Sequence, residues 1–288
     1  MKSRKTYWVL GLMLAALVFL PVAAKAEMYV ECYLGGVIGA SDSTTITNSS
    51  YADGGVFTLN GVFNNNIPGR MDPAIVGGLK IGTWFVKQGF LGYDYPDWMK
   101  YLGFYLDFSY HRLNFVRQTG TTGVTYNFGP FGPATGTTGN EFHSEGTAAT
   151  LAFMFAGRFG FFPDAEVPFG RLQPYIGVGP AILFASQEPK LIRNANAAAG
   201  GGLVVVDPWQ RGFAPGSNSG AFICLAVDAG LRYMALKNVS IDLFFRYRYA
   251  QPSFNYSYTD QFDGQTRSFT FSPTYNLFSG NLGVAYHF

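Results

Sequence analysis

The sequence predicts an all-β chain that closes into an antiparallel, up-and-down transmembrane barrel of eight strands. Its last segment, residues 281–288, places Leu282, Val284, Tyr286 and Phe288 on one side and small or polar residues on the other. Side chains alternate across a strand, so this segment has one apolar and one polar face. The alternation recurs along the chain with charged residues on the polar side, which a packed soluble core would not accept. An apolar exterior around a polar interior is typical of a transmembrane β-barrel.

The composition favours the same class. Glycine is abundant (36 residues) and aromatic residues make up 17% of the chain. Charged residues make up only 13%, whereas about a quarter is usual in a soluble protein. The mean hydropathy of +0.10 is nevertheless too low for a bundle of membrane helices. A barrel whose strands are half polar accounts for both values.

The first 26 residues have the pattern of a cleaved signal peptide. A basic head precedes an apolar run over residues 8–20, and Ala-Lys-Ala at 24–26 matches the small-x-small cleavage site. We therefore expect residues 1–26 to be removed, leaving one barrel domain, residues 27–288. Removal takes away four of the 20 Lys and Arg and none of the 18 acids, so the net charge falls from +2 to −2. That charge does not indicate a nucleic-acid partner.

Alternation defines the remaining strands and leaves loops between them. The predicted strands are 28–39, 74–86, 101–115, 147–161, 172–186, 221–236 and 239–250, followed by the C-terminal strand. The connections at 40–73, 116–141, 187–220 and 251–275 are long and polar, and those after the second, fourth and sixth strands are shorter. Long connections are predicted to be extracellular loops and short ones periplasmic turns. Two alternatives stay open, namely a small hairpin at 55–63 and a hairpin at 251–275 that extends beyond the membrane.

Two motifs resemble a known family. The chain ends in Tyr286-His-Phe288, and Pro174-Tyr-Ile-Gly-Val-Gly179 matches a Pro-Tyr-x-Gly-x-Gly segment. In these features the chain resembles the eight-stranded bacterial outer-membrane β-barrels, which include the outer-membrane protein A transmembrane domain and opacity-type surface antigens. The resemblance implies location in the outer membrane, and contact with its lipid and lipopolysaccharide. It also implies that Tyr286 and Phe288 form the signal read by the barrel-assembly machinery.

Charged residues on the inward side form a predicted lumen network. Its members are Glu31, Lys80, Asp107, Arg158, Asp228, Arg232, Asp242, Arg246 and Arg248. In a barrel of about eight strands the interior is just wide enough for side chains to fill. Mutual pairing is expected because an unpaired buried charge is costly, with Asp228 or Asp242 as the partner of Arg246. Structural filling is the first interpretation and a narrow pore for ions or small solutes is the alternative.

Aromatic residues near strand ends are predicted to form interfacial girdles. Those assigned to the girdle are Trp84, Phe159, Phe161, Tyr233 and Tyr249.

The sequence offers weak indications of chemistry. Asp107, Ser109 and His111 share one strand face, and His143-Ser144-Glu145 are adjacent, so a lipid-modifying enzyme is a second alternative. Residues two apart on a strand do not naturally form a relay, and we do not expect an enzyme. The histidines have no metal-ligand spacing, and no cofactor is indicated. Cys32 and Cys224 fall on strands that are not neighbours, so we expect no disulfide. The predicted role is therefore structural, or one of surface interaction through the extracellular loops with a ligand that the sequence does not name.

Overall fold

The computed structural model of the chain describes residues 27–53, 58–86, 95–127, 133–193, 196–199, 204–206, 212–213, 216–259 and 266–288. The predicted signal peptide lies outside the described residues, so its removal stays a prediction.

The described residues are almost entirely β-strand. In chain order the first seven strands are β1 (Glu27–Asp53), β2 (Thr58–Arg70), β3 (Ala74–Trp84), β4 (Leu102–Arg112), β5 (Phe115–Asn127), β6 (Pro133–Arg158) and β7 (Leu172–Arg193). The second seven are β8 (Asn196–Ala199), β9 (Val204–Val206), β10 (Gly212–Phe213), β11 (Asn218–Leu236), β12 (Val239–Ala250), β13 (Phe254–Thr259) and β14 (Thr266–His287). A 3-10 helix at Asp97–Tyr101 precedes β4. Within the described ranges, no helix is long and apolar enough to cross a membrane.

Eight strands form a closed antiparallel ring. Its order is β1, β3, β4, β6, β7, β11, β12 and β14, after which β14 returns to β1. The closing pair keeps one register from Tyr29↔His287 to Asp42↔Thr274. Closure leaves no strand edge unpaired around the ring, which a lipid environment requires. The predicted eight-stranded antiparallel barrel is confirmed, and each predicted strand overlaps one strand of the ring.

Beyond the ring the strands continue as paired arms. We call "the arms" residues 43–53 of β1, all of β2 and β5, residues 133–146 of β6, residues 187–193 of β7, β13, and residues 266–273 of β14. Here β2 lies between β1 and β5, and β5 pairs with β6. β13 pairs with β14 from Phe254↔Phe271 to Thr259↔Thr266, which confirms the hairpin beyond the ring. The strand count of the ring stays at eight.

The expectation that residues 40–73 and 116–141 form loops is wrong for most of their described part. The Gly-Thr-Thr-Gly repeats at 120–123 and 136–139 lie opposite each other, with Thr121↔Gly139 and Thr122↔Thr138 in register. The polar composition indicated a loop, but threonine is β-branched and fits a pleated strand well. Partner strands on both sides of β5 then supply the backbone hydrogen bonds.

The outer wall of the ring is apolar. Its large side chains are strongly exposed, among them Leu34, Ile38, Phe155, Ile176, Ile223, Phe245 and Leu282. On the opposite face of the same strands lie the buried residues described below. Exposed apolar patches of this extent are uncommon on soluble monomers, so this wall is suited to lipid contact.

The barrel interior as candidate functional site

All nine residues of the predicted lumen network are buried, with relative exposures of 5% or less. Their contacts divide them into two clusters and one further residue, Arg158, which lies at the near mouth, the end of the barrel where β1 begins. The lower cluster, toward that mouth, is Glu31, Lys80, Arg232 and Asp242. The upper cluster, toward the arms, is Asp107, Asp228, Arg246 and Arg248. Each cluster contains two acids and two bases.

In the lower cluster two cations sit between two carboxylates. Arg232 Nη2 lies 2.8 Å from Glu31 Oε2 and 3.0 Å from Asp242 Oδ2. Lys80 Nζ lies 2.9 Å from Glu31 Oε1, and Tyr175 donates its hydroxyl to Asp242 at 3.0 Å. The Lys80 ammonium also lies 3.2 Å from the centre of the Phe244 ring, a close cation–π contact. Such pairing compensates for removing four charges from water.

In the upper cluster Arg246 bridges two carboxylates. Its Nε and Nη2 each donate to Asp228 at 2.7 Å, which is a two-point contact. Its Nη2 also pairs with Asp107. The predicted partner Asp228 is therefore present, Asp107 is a partner that we did not predict, and Asp242 pairs elsewhere. Arg248 donates to Asp107 at 3.1 Å and to Ser109 at 2.6 Å.

Glu27 completes the charge balance at the near mouth. Arg158 donates to its two carboxylate oxygens at 2.8 and 2.5 Å. The sequence interpretation counted four inward acids against five bases and missed this residue. Parity could have found it, because Glu27 lies two and four residues before the inward Tyr29 and Glu31. The described lumen then holds equal numbers of acids and bases in the network.

Tyrosine hydroxyls extend the hydrogen-bond network across the lumen, and glycines on the inward face leave space for the tyrosine rings. Tyr33 donates to Asp107 at 2.9 Å, and Tyr105 donates to Asp228 at 3.0 Å. A Cβ at Gly230 would lie 2.6 Å from the Tyr175 ring, and one at Gly78 would overlap the Tyr33 ring. The sequence interpretation did not identify the tyrosines as network members.

A second, apolar layer fills the interior on the arm side. We call it the aromatic plug, and its members are Phe115, Phe142, Phe254, Phe271 and Tyr275, all buried. Ring centres of Phe115, Phe142 and Phe271 lie 5.5–5.9 Å apart, within the usual range for packed aromatic pairs. The sequence interpretation assigned these residues no interior role, because most of them fall in the segments taken as loops.

Trp84 corrects the predicted girdle. It is buried at 2% exposure, and the Arg158 guanidinium lies 4.2 Å from the centre of its ring. Its parity with the inward Lys80 places it inside, so it does not face lipid. Phe159, Phe161 and Tyr233 are exposed on the outer wall, and Tyr249 is partly exposed. Their role at a membrane interface stays a prediction.

The candidate catalytic groups contact residues other than one another. Ser109 bonds to Arg248, Asp107 bonds to Arg246 and Arg248, and His111 Nδ1 contacts the Arg112 carbonyl oxygen at 2.8 Å. Ser144 is buried and donates to Gln187 at 2.6 Å, while Glu145 lies on the exposed face. Neither set contains the serine–histidine contact of a nucleophilic relay.

Both cysteines are free, with Cys32 exposed and Cys224 buried. Among the described residues, no group of three or more His, Cys, Asp or Glu is placed to hold a metal ion.

Comparison with solved structures returns membrane barrels. The outer membrane protein OprG from Pseudomonas aeruginosa is 13% identical, covers 92% of this chain and 97% of its own, and has a TM-score of 0.42. Neisserial surface protein A is 13% identical over 91% of this chain and 97% of its own, with a TM-score of 0.30. The attachment invasion locus protein of Yersinia pestis, solved with a heparin analogue, is 12% identical over 91% and 99%, with a TM-score of 0.30.

No family model and no curated protein matches the sequence. The assignment of fold rests on the molecule itself, on its closed ring, its apolar outer wall and its charged interior. The chain is an eight-stranded transmembrane β-barrel.

Proposed function

We propose that the chain is exported, loses residues 1–26 and acts in the outer membrane as a barrel with a closed lumen. Its role is structural, or one of surface interaction through the arms. The observation that carries this proposal is the double filling of the interior, by the paired charges and by the aromatic plug. A barrel of eight strands has only enough interior space for side chains. Both layers lie across the path that a solute would take.

The proposed orientation places the arms outside the cell and the short connections in the periplasm. The two-residue turn at Lys237–Asn238 and the segment 159–171 lie at the end where β1 begins and β14 finishes. Long outer strands and short inner turns are the usual arrangement in such barrels. The arms are rich in Ser, Thr, Asn and Gly, a composition suited to an extracellular ligand or to lipopolysaccharide.

Planar-bilayer recording of refolded residues 27–288 tests the closed lumen. We expect no stable unitary conductance, because the aromatic plug and both charged clusters would have to move together. The matched variant is Phe142→Ala with Phe271→Ala, which removes two plug rings. A steady wild-type conductance that changes in this variant would favour the narrow pore, since leakage around the barrel would be the same in both proteins.

Two further measurements test the rest of the proposal. Mass spectrometry of the membrane-derived protein should give Glu27 as its first residue. Analysis of lipid A from cells with and without the gene should give identical spectra, because neither candidate set in the described part of the chain contains a serine–histidine contact. A changed lipid A spectrum would revive the enzyme alternative.

A further inference from the structure

A shallow groove of about 350 Å³ runs along the outer wall across β4, β6, β7 and β11. Its sides are the half-exposed rings of Tyr110 and Phe184, and Ala149 lies between them. The strand register puts these three side chains in one row, with Tyr110↔Ala149 and Ala149↔Phe184 as direct neighbours. A small residue between two large rings makes a slot one side chain wide.

The row on the ring side of this slot is fully apolar. Phe108, Leu151 and Ile182 are neighbours in register, and Ile223 follows on β11. Ile223 is 87% exposed. On its ring side the slot therefore opens onto the apolar outer wall.

The row on the arm side is polar and includes one cation. Arg112 pairs in register with Thr147, Thr147 with Ser186, and Ser186 with Ser219. All four are at least partly exposed. In the described part of the chain, the Arg112 guanidinium has no ion-pair partner, whereas Arg117 lies 3.0 Å from Glu141 and Lys190 lies 3.7 Å from Glu188.

Acidic groups limit how far this polar row extends. Glu145 and Glu188 are neighbours in register one row further toward the arms. Asp72 and Glu145 line an adjoining groove with Arg112 and His143. The charge of Glu188 is partly neutralised by Lys190. Glu145, which lies on β6 two residues before Thr147, is therefore the carboxylate that would repel an anion bound to the polar row.

We propose that this groove binds a membrane lipid by its phosphate, with one acyl chain in the slot between Tyr110 and Phe184. The proposal rests on the proposed membrane insertion. A guanidinium binds phosphate oxygens through several charge-assisted hydrogen bonds, and the hydroxyls of Thr147, Ser186 and Ser219 supply further donors. The apolar row on the ring side of the slot then continues the path of the acyl chain along the outer wall. Charge and apolar groups lie in the order in which a phospholipid or a phosphorylated glycolipid presents them at a membrane interface.

Native mass spectrometry of refolded residues 27–288 in detergent tests the site. The probes are phosphatidic acid and diacylglycerol with identical acyl chains, which differ only in the phosphate, and inorganic phosphate alone. We expect the wild-type protein to retain phosphatidic acid about 5–10-fold better than diacylglycerol, the scale of one charge-assisted contact. Arg112→Gln should abolish this preference, and Glu145→Gln should increase it. Arg117→Gln is the matched control, since Arg117 is an exposed arginine of the adjoining groove that is already paired with Glu141, and it should keep the preference.

A second variant tests the slot without touching charge. The side chain at position 149 points outward, so the ring introduced by Ala149→Phe fills the slot without entering the lumen. This variant should retain less of both lipids. An unchanged preference in Arg112→Gln would overturn the proposal, as would full displacement of phosphatidic acid by an equal concentration of inorganic phosphate. Neither result would affect the closed lumen, which the conductance measurement tests separately.

Discussion

Arg246 shows how the interior charges stabilise the barrel. It is the only cation paired with Asp228 among the described residues, while Asp107 has both Arg246 and Arg248. Loss of Arg246 would leave Asp228 with the Tyr105 hydroxyl alone. The two acids therefore differ in how strongly they depend on this arginine.

We expect Arg246→Ala to destabilise the barrel by about 3–5 kcal/mol, because it leaves an uncompensated buried carboxylate. Adding Asp228→Ala should recover part of the loss. Adding Asp107→Ala should recover less, since it also deprives Arg248 of its carboxylate. Urea titrations of the single and double variants in lipid vesicles measure these couplings. Arg117→Ala, which breaks an exposed pair, is the control and should change stability by about 0–1 kcal/mol. Strictly additive losses for Arg246 and Asp228 would contradict the pairing.

The inward glycines give a second prediction at this scale. Gly78→Ala and Gly230→Ala should each destabilise by about 1–3 kcal/mol, because the added methyl group meets a tyrosine ring that packing and hydrogen bonds hold in place. Gly36→Ala is the matched control, since a Cβ there has nothing within 4 Å. Equal unfolding midpoints for all three variants would show that the tyrosine rings move freely.

Among single residues, side-chain parity was the reliable signal. It placed all nine network residues on the buried side and identified Asp228 as a partner of Arg246. It could not identify Asp107 as the other partner, because β4 and β12 are not adjacent in the ring and their side chains meet only across the lumen. Trp84 was assigned to the girdle by residue type, although its own parity pointed inward.

At the scale of elements, the Asp164 carboxylate has a central place in the segment 159–171 between β6 and β7. Asp164 Oδ1 accepts hydrogen bonds from the backbone N–H of Val167 at 2.7 Å and of Glu166 at 3.0 Å. Its Oδ2 pairs with Arg171. These backbone hydrogen bonds, and then the Arg171 guanidinium, hold the pKa of the Asp164 carboxyl below its usual range. Hydrogen bonds from Arg171 to the Asp164 carboxylate, and then to the Glu166 carboxylate, raise the pKa of Arg171.

This connection should therefore loosen only in strong acid. A lowered folded-state pKa means that the stabilisation by Asp164 is present at neutral pH and is lost as the pH falls through that lowered pKa. NMR titration of aspartate-labelled protein should give an Asp164 pKa below that of an unstructured aspartate, and the Val167 amide should titrate with it. In Asp164→Asn the Val167 amide should no longer respond. An Asp164 pKa at or above the ordinary value would refute this account of the turn.

In the arms, the alternation of apolar and polar residues no longer predicts the strands. The ring strands were predictable because lipid on one side and charge on the other impose a period of two. Beyond the ring that contrast weakens, and the Thr-rich repeats at 120–123 and 136–139 have no apolar face to reveal a strand. Only the pairing of β2, β5 and β6 in space decides their conformation.

At the scale of the whole molecule, the C-terminus joins the ring through few contacts. The Phe288 N–H donates to the Met28 carbonyl at 2.9 Å, and its ring packs edge-on against Tyr286 with centres 5.1 Å apart. The Phe288 side chain is 64% exposed. Its contribution to the folded state is therefore small, which separates stability from its proposed part in assembly.

Deleting Phe288 should lower the amount of protein in the outer membrane severalfold, while the unfolding free energy of the refolded barrel falls by only about 0.5–1.5 kcal/mol, the value of one hydrogen bond. Fractionation of cells and urea titration of purified protein measure the two effects. Phe288→Tyr keeps an aromatic end and should assemble normally. Normal outer-membrane levels of the deletion variant would argue against a terminal assembly signal.

The lumen network also constrains the order in which the molecule forms. Its contacts join residues far apart in the chain, 201 positions for Arg232 and Glu31, 139 for Arg246 and Asp107, and 213 for Arg246 and Tyr33. A single hairpin or an open half-barrel satisfies few of them, so these charges stay hydrated until the first and last strands meet. Closure is then the step at which water leaves the interior and the ion pairs form together. Contacts of such long sequence separation make folding slow, and they make it cooperative, since a partly closed barrel gains little from any one pair.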